Sequence, residues 1–95
     1  MSMKEAYKKK LEAQFDEWKV EIDKLKAKAN KAEADAQIKY HKQIENIRVK
    51  QEAVREKLVE LKDSGDGAWE DLKAGLDNAM KNLGDAIKTA TSRFK

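Results

Sequence analysis

The chain has 95 residues, of which 41% are charged and only 6% are aromatic. Its 21 basic and 18 acidic residues leave a net charge of +3, which is too balanced to indicate a nucleic-acid-binding protein. Cysteine is absent, which excludes disulfides, thiolate metal sites and cysteine nucleophiles. Proline is absent too, and with so many charged residues this composition is typical of long helices and coiled coils. We therefore expect one all-α coiled-coil domain over residues 1–95.

A long first helix is predicted over about residues 2–63. It starts at Ser2, which forms a capping box with Glu5. Apolar residues then recur mostly at steps of three and four, which is typical of a helix with one narrow buried face. This stripe contains Tyr7, Leu11, Phe15, Trp18, Ile22, Leu25, Ala29, Ala32, Ala36, Tyr40, Ile44, Ile47, Val54, Leu58 and Leu61. At 1.5 Å per residue, such a helix is a rod about 90 Å long.

The middle of this helix is rich in alanine. Five alanines lie between residues 27 and 36. Two interpretations stay open: alanine is present for its helix propensity, or small side chains allow a partner helix to approach closely.

A turn is predicted at residues 64–67, where two glycines would weaken a continuing helix. Gly65 suits a left-handed residue after the first helix, and Asp66 suits the cap of the next one. A reversal of the chain is favoured over a kinked continuous helix. A shorter helix is predicted over about 68–94, and Gly75 and Gly84 are expected to weaken it.

Antiparallel pairing around Gly65 predicts a helical hairpin over residues 34–95. Its seam contains Tyr40, Ile44, Ile47, Val54, Leu58, Leu61, Trp69, Leu72, Leu76, Leu83, Ile87 and Phe94. The shorter helix ends opposite about residue 36, so residues 1–33 have no partner within the chain. We therefore predict that residues 1–33 are an oligomerisation arm, with a homodimer favoured over higher oligomers. The predicted interface contains Tyr7, Leu11, Phe15, Trp18, Ile22 and Leu25.

No catalytic constellation, metal site or cofactor site is predicted. His41 is the only histidine, and with Glu45 it offers two of the three or four ligands that metal sites use. The short Gly65–Gly67 segment is too acidic to bind phosphate. The lysines at 8–10 spread around the helix and lie beside Glu5 and Glu12, so they form no basic patch. The sequence therefore predicts a non-enzymatic structural or interaction protein.

An alternative is a reversible lipid- or surface-binding protein that uses helix 68–94. That helix has near-repeats of eleven residues, with Trp69 and Phe94 at the two ends of its apolar face. Its polar face carries equal numbers of both charges, which argues against strong attraction to anionic lipid. No apolar stretch reaches membrane-spanning length, and no secretory signal is visible, so we expect a cytoplasmic protein.

Several stretches resemble a family of short bacterial coiled-coil proteins that are associated with stress responses. These are residues 24–29, 31–36 and 92–95 and, most specifically, Ala68-Trp69-Glu70-Asp71-Leu72-Lys73-Ala74-Gly75. The resemblance implies a bacterial cytoplasmic protein induced by salt or light stress. It supplies no catalytic residues and no mechanism.

Overall fold

The computed structural model describes residues 2–65 and 67–94, and these form three α-helices. Helix α1 spans Met3–Lys31, α2 spans Ala34–Asp63 and α3 spans Trp69–Arg93. Ser2 caps α1 by accepting a hydrogen bond from the backbone N–H of Glu5 at 3.1 Å, as the capping box predicts. The all-α prediction is confirmed.

The prediction of one continuous helix over 2–63 is wrong. The helix is interrupted at Ala32 and Glu33, which are both extended, with φ/ψ of −76°/163° and −62°/156°. The chain folds back there, and its longest dimension is 51 Å rather than the roughly 90 Å expected of a straight rod. Residues 2–33 therefore return along the rest of the chain instead of projecting from it.

Burial of the α1 stripe explains why the helix breaks. Leu11, Phe15, Ile22, Leu25 and Ala29 are all buried within this single chain. Each large apolar side chain removed from water contributes on the order of 1.5–3 kcal/mol. Several such side chains outweigh the backbone hydrogen bonds that are lost where the helix is interrupted, which contribute about 0.5–1.5 kcal/mol each.

The three helices form an up-down-up bundle. The Lys4 ammonium donates to the Ser64 carbonyl, which brings the start of α1 to the end of α2. Tyr40 and Phe94 stack with ring centroids 4.1 Å apart, which brings the start of α2 to the end of α3. Helix α2 is thus antiparallel to both neighbours, and α1 is parallel to α3.

One apolar core runs the length of the bundle. Its largest fully buried side chains are Ile47, Val54, Leu61, Leu76 and Leu83. Of the predicted hairpin seam, nine residues are buried, and Tyr40, Leu58 and Leu72 are partly exposed. Helix α3 packs most extensively against α2, so these two helices form the closest pair of the bundle.

The second turn differs in detail from its predicted form. Ser64 is extended, and both its N–H and its hydroxyl donate to the Leu61 carbonyl. This satisfies the helix end without a left-handed residue, so the prediction that Gly65 is left-handed is wrong: no glycine among the described residues has positive φ. The predicted cap Asp66 lies outside the described residues, and Ala68 precedes α3 without a side-chain cap.

Candidate functional site: the groove between α1 and α3

The residues predicted as an oligomer interface lie inside the bundle. Leu11, Phe15, Ile22 and Leu25 are buried by the chain's own helices, whereas Tyr7 and Trp18 remain partly exposed. The premise that this stripe lacks an intrachain partner is therefore wrong, because α2 and α3 cover it. What remains accessible from the stripe is one edge, at Tyr7 and Trp18.

Trp18 lies at the edge of the largest groove, which is about 470 Å³ in volume. Leu11 and Met80 form its apolar floor, and Gly84 lies opposite Trp18. Helices α1 and α3 pack less extensively against each other than either packs against α2. This side is therefore the open edge of the bundle.

The groove carries opposite charges at its two ends. Lys10 and Lys81 line it toward the helix N-termini, and Glu17 and Asp85 line it toward the C-termini. The parallel arrangement of α1 and α3 places like charges at the same end. The groove is therefore electrostatically polar along its axis, although its four charges cancel.

Trp18 packs directly over the backbone of Gly84. A Cβ atom added at residue 84 would lie 2.8 Å from Cζ2 and 3.0 Å from Cη2 of the Trp18 ring. Real Cβ atoms do not approach carbon so closely, so the absent side chain provides the space that the indole occupies. Gly84 thus sets the position of Trp18 at the groove edge.

A polar and aromatic cluster closes the bundle end beside this groove. The Tyr7 hydroxyl donates to the Asp77 carboxylate and lies 3.3 Å from the carbonyl oxygen of Lys73. Its ring lies 5.7 Å from that of Trp69, and the Lys73 ammonium is 5.5 Å from the Tyr7 centroid. Burial, together with the hydrogen bond and charge of Asp77, raises the pKa of Tyr7 above its usual range.

A second, more polar cleft lies between α2 and α3. It is about 240 Å³ in volume and is lined by amides such as Gln43, Asn46 and Asn82, with Lys50 and Asp85. The buried Oε1 of Gln43 has no protein hydrogen-bond partner. A buried amide of this kind is a suitable place for an ordered water.

His41 and Glu45 lie exposed on α2. Within residues 2–65 and 67–94, no three His, Asp or Glu side chains come close enough together to hold a metal ion. The ion pairs are exposed contacts three residues apart, such as Asp16–Lys19 at 3.7 Å, which contribute little to stability. None of the described helices combines the length and apolar character needed to cross a membrane.

Comparison of the chain with protein-family profiles, with curated proteins and with solved structures gives no match.

The sequence pattern singled out Trp18 and Leu11 but not the residues of α3 that line the groove with them. Gly84 was visible only as a residue that weakens a helix. Asp77 lies 70 positions from Tyr7, and no sequence signal links the two.

The first prediction concerns the two glycines of α3. Gly84→Ala should destabilise the fold by about 1–3 kcal/mol relative to Gly75→Ala, because the new methyl group displaces the Trp18 ring. At residue 75 the new Cβ would meet only the Lys57 ammonium at 3.6 Å, so alanine should gain about 0.5–1 kcal/mol. Urea unfolding followed by circular dichroism measures both. Equal stabilisation by the two substitutions would show that Trp18 does not pack on residue 84.

The second prediction concerns Tyr7 and pH. The raised pKa means that the folded state favours the neutral phenol, so this stabilisation is complete below about pH 10 and is lost as the pH rises further. Tyr7→Phe should cost about 1 kcal/mol near neutral pH. It should also flatten the decline in stability above about pH 10.

Asp77→Asn is the control for this titration, because it keeps an acceptor and removes the charge. It should lower the pKa of Tyr7 toward that of a free tyrosine, which absorbance of the phenolate reports. An unchanged titration in Asp77→Asn would contradict the assigned contact.

Proposed function

We propose that this is a non-enzymatic interaction protein that binds an amphipathic helix of a partner protein in the groove between α1 and α3. The observation that carries the proposal is the groove in which the partly exposed Trp18 lies beside the buried side chains of Leu11 and Met80. A three-helix bundle with one open edge resembles a four-helix bundle that lacks a member. A helix that presents apolar residues at steps of three and four would fill that place.

The charges of the groove determine the orientation of the proposed helix. Glu17 and Asp85 line one end, and the positive N-terminus of a helix is favoured near acidic groups. Lys10 and Lys81 at the other end favour the helix C-terminus. The partner helix would therefore run antiparallel to α1 and α3, as alternating bundles require.

The resemblance of this sequence to a known family suggests one biological setting for the proposed binding. The resemblance of the Trp69 segment to stress-associated bacterial proteins suggests that the partner is engaged under salt or light stress in the cytoplasm. Binding would then weaken as ionic strength rises, because salt screens the exposed charges at the ends of the groove.

The test uses two synthetic amphipathic helices of identical composition. One carries lysines in its first half and glutamates in its second half, and the other carries the reverse. Both peptides are stapled to equal helicity, because lysines in the first half oppose a helix's own dipole. We then expect the first peptide to bind several-fold more tightly, because only its charges complement the groove when its N-terminus lies near Glu17 and Asp85. The indole N–H of Trp18 in ¹⁵N spectra reports binding, with the Trp69 indole as the internal control.

Shifts confined to Trp18, Gly84 and their neighbours would support the groove as the binding site. If neither peptide perturbs these signals, or if both perturb the α2–α3 cleft instead, the proposal is wrong. The matched variant is Glu17→Lys, which reverses an exposed charge of the groove and should remove the preference for the first peptide, while Glu60→Lys, on the exposed surface of α2, should preserve it.

A second candidate function is reversible binding to a lipid surface by α3. It is favoured by the apolar face of α3, on which Trp69, Leu76, Met80, Leu83 and Ile87 are all buried. Because α1 covers α3 less extensively than α2 does, opening of this edge would expose that face. In this function the bundle is the closed, water-soluble state of a surface-binding helix.

Vesicles that contain brominated acyl chains distinguish the two functions. In a Trp18→Phe background, only Trp69 fluoresces. Insertion of α3 should quench Trp69, because bromine quenches only fluorophores that reach the acyl chains. For the helix-binding function we expect no quenching, and strong quenching would favour the lipid-binding function instead.

A further inference from the structure

The connection between α1 and α2 lacks any residue that specifies a turn. Residues 31–34 read Lys-Ala-Glu-Ala, all of which are good helix formers. Only Ala32 and Glu33 are extended, and Glu33 caps α2 without a side-chain hydrogen bond. The other connection contains Ser64, Gly65 and Gly67, which are typical turn residues. Nothing in the local sequence therefore opposes a helical conformation at Ala32 and Glu33.

The apolar stripe also continues in phase across this break. Leu25, Ala29, Ala32, Ala36 and Tyr40 follow at steps of four, three, four and four. A turn between two separate helices does not require such phasing. If Ala32 and Glu33 became helical, α1 and α2 would form one helix over residues 3–63 with a continuous apolar face.

We propose that the protein forms an exchanged dimer, in which Ala32 and Glu33 become helical and α1 of each copy packs onto the α2–α3 hairpin of the other copy. Exchange of an identical element is a low-cost route to a dimer, because the contacts of the monomer are reused. This inference does not rest on the helix-binding function proposed above.

The register of the bundle matches such a dimer. Lys4 lies opposite Ser64, and Asn30 lies opposite Gln37, so both pairs are centred on about residue 34. Two straight helices that keep this register between chains would cross their two-fold axis at the same place. The exchange therefore preserves the α1–α2 packing away from the connection and changes the connection itself, where the Gln37–Asn30 hydrogen bond is lost.

The alanines around the connection suit the new contact that the dimer creates. At the two-fold axis, Ala32 of one copy would face Ala36 of the other copy. Both are partly exposed in the monomer, and their small side chains allow two helices to approach closely. This gives the alanine-rich segment a specific partner, which is a second copy of this chain.

One hydrogen bond holds the monomer closed at this connection. The side-chain amide of Gln37 donates to the Asn30 carbonyl at 3.0 Å, which satisfies a free carbonyl at the end of α1. In a continuous helix, the backbone N–H of Ala34 would take that position. Gln37 therefore stabilises the closed connection specifically.

A proline at residue 33 should disfavour the dimer without disturbing the monomer. The φ of Glu33, −62°, is that of proline, and the extended Ala32 suits the residue before proline. Glu33→Pro should therefore leave the monomer folded. It should lower the dimer association constant by about 100-fold or more, because proline is strongly unfavourable in a helix interior. Glu33→Ala removes the same charge and should not lower it.

Gln37→Ala should favour the dimer. It removes the hydrogen bond to Asn30 and keeps high helix propensity, so the dimer fraction should rise several-fold. The four proteins are refolded from denaturant at low and at high concentration and are separated by size, with light scattering to give the mass. Scattering of the isolated dimer should show a rod about 90 Å long.

Crosslinking identifies which chains are in contact. The chain contains no cysteine, so Tyr7→Cys with Asp77→Cys offers one defined pair between α1 and α3. A short bismaleimide should join two chains in the dimer and close a loop within one chain in the monomer. A wild-type protein that stays monomeric after concentrated refolding would overturn the proposal. So would a dimer that is insensitive to Glu33→Pro, or one that crosslinks only within chains.

Discussion

Burial of the apolar stripe of α1 is the interaction on which the rest of this structure depends. Within a single chain, Phe15, Ile22 and Leu25 leave water only if the chain folds back at Ala32 and Glu33. Helix propensity along residues 27–36 opposes that break, so tertiary packing has to overcome it. The fold therefore gives up helical conformation at two residues in order to bury the apolar stripe of α1. Its radius of gyration of 15.3 Å, against about 12 Å for a compact chain of this length, reflects an elongated bundle in which each helix stays long.

The features of the fold that local chemistry determines were predictable. Ser2 caps the first helix because its hydroxyl has a backbone donor three residues away. The period of the apolar residues correctly gave helical structure and its buried face. The break at Ala32 was not predictable in the same way, because both residues there favour helix and only long-range burial makes them extended. At Gly65 the local sequence was misleading instead. A glycine after the helix suggested a left-handed cap, yet Ser64 satisfies the helix end by itself.

The candidate site was predictable only in part, and for a related reason. Trp18 stood out as a large aromatic residue on a stripe and was predicted to lie at an oligomer interface, but nothing in the sequence indicated that Gly84 is its neighbour. Gly84 counted against helix stability in the sequence, whereas in the bundle it provides room for the indole ring. The contact of Tyr7 with Asp77 depends on the parallel arrangement of α1 and α3, which follows from the break. Because the break at Ala32 and Glu33 was not predicted, the contacts between α1 and α3 that form the site were not predicted either.

The two proposals are compatible because exchange of α1 preserves the groove. In an exchanged dimer the Trp18 edge of one copy would pack on Gly84 of the other copy, with the same side chains around it. Each dimer would then carry two grooves, one in each half of a long rod. The two-fold axis near residue 34 would relate the two grooves. Two linked sites bind a partner that presents two helices far more tightly than one site does, provided that the spacing fits. The same sequence would therefore give a monovalent bundle when dilute and a divalent rod when concentrated, and the helix-forming residues at 31–34 would control the balance between them.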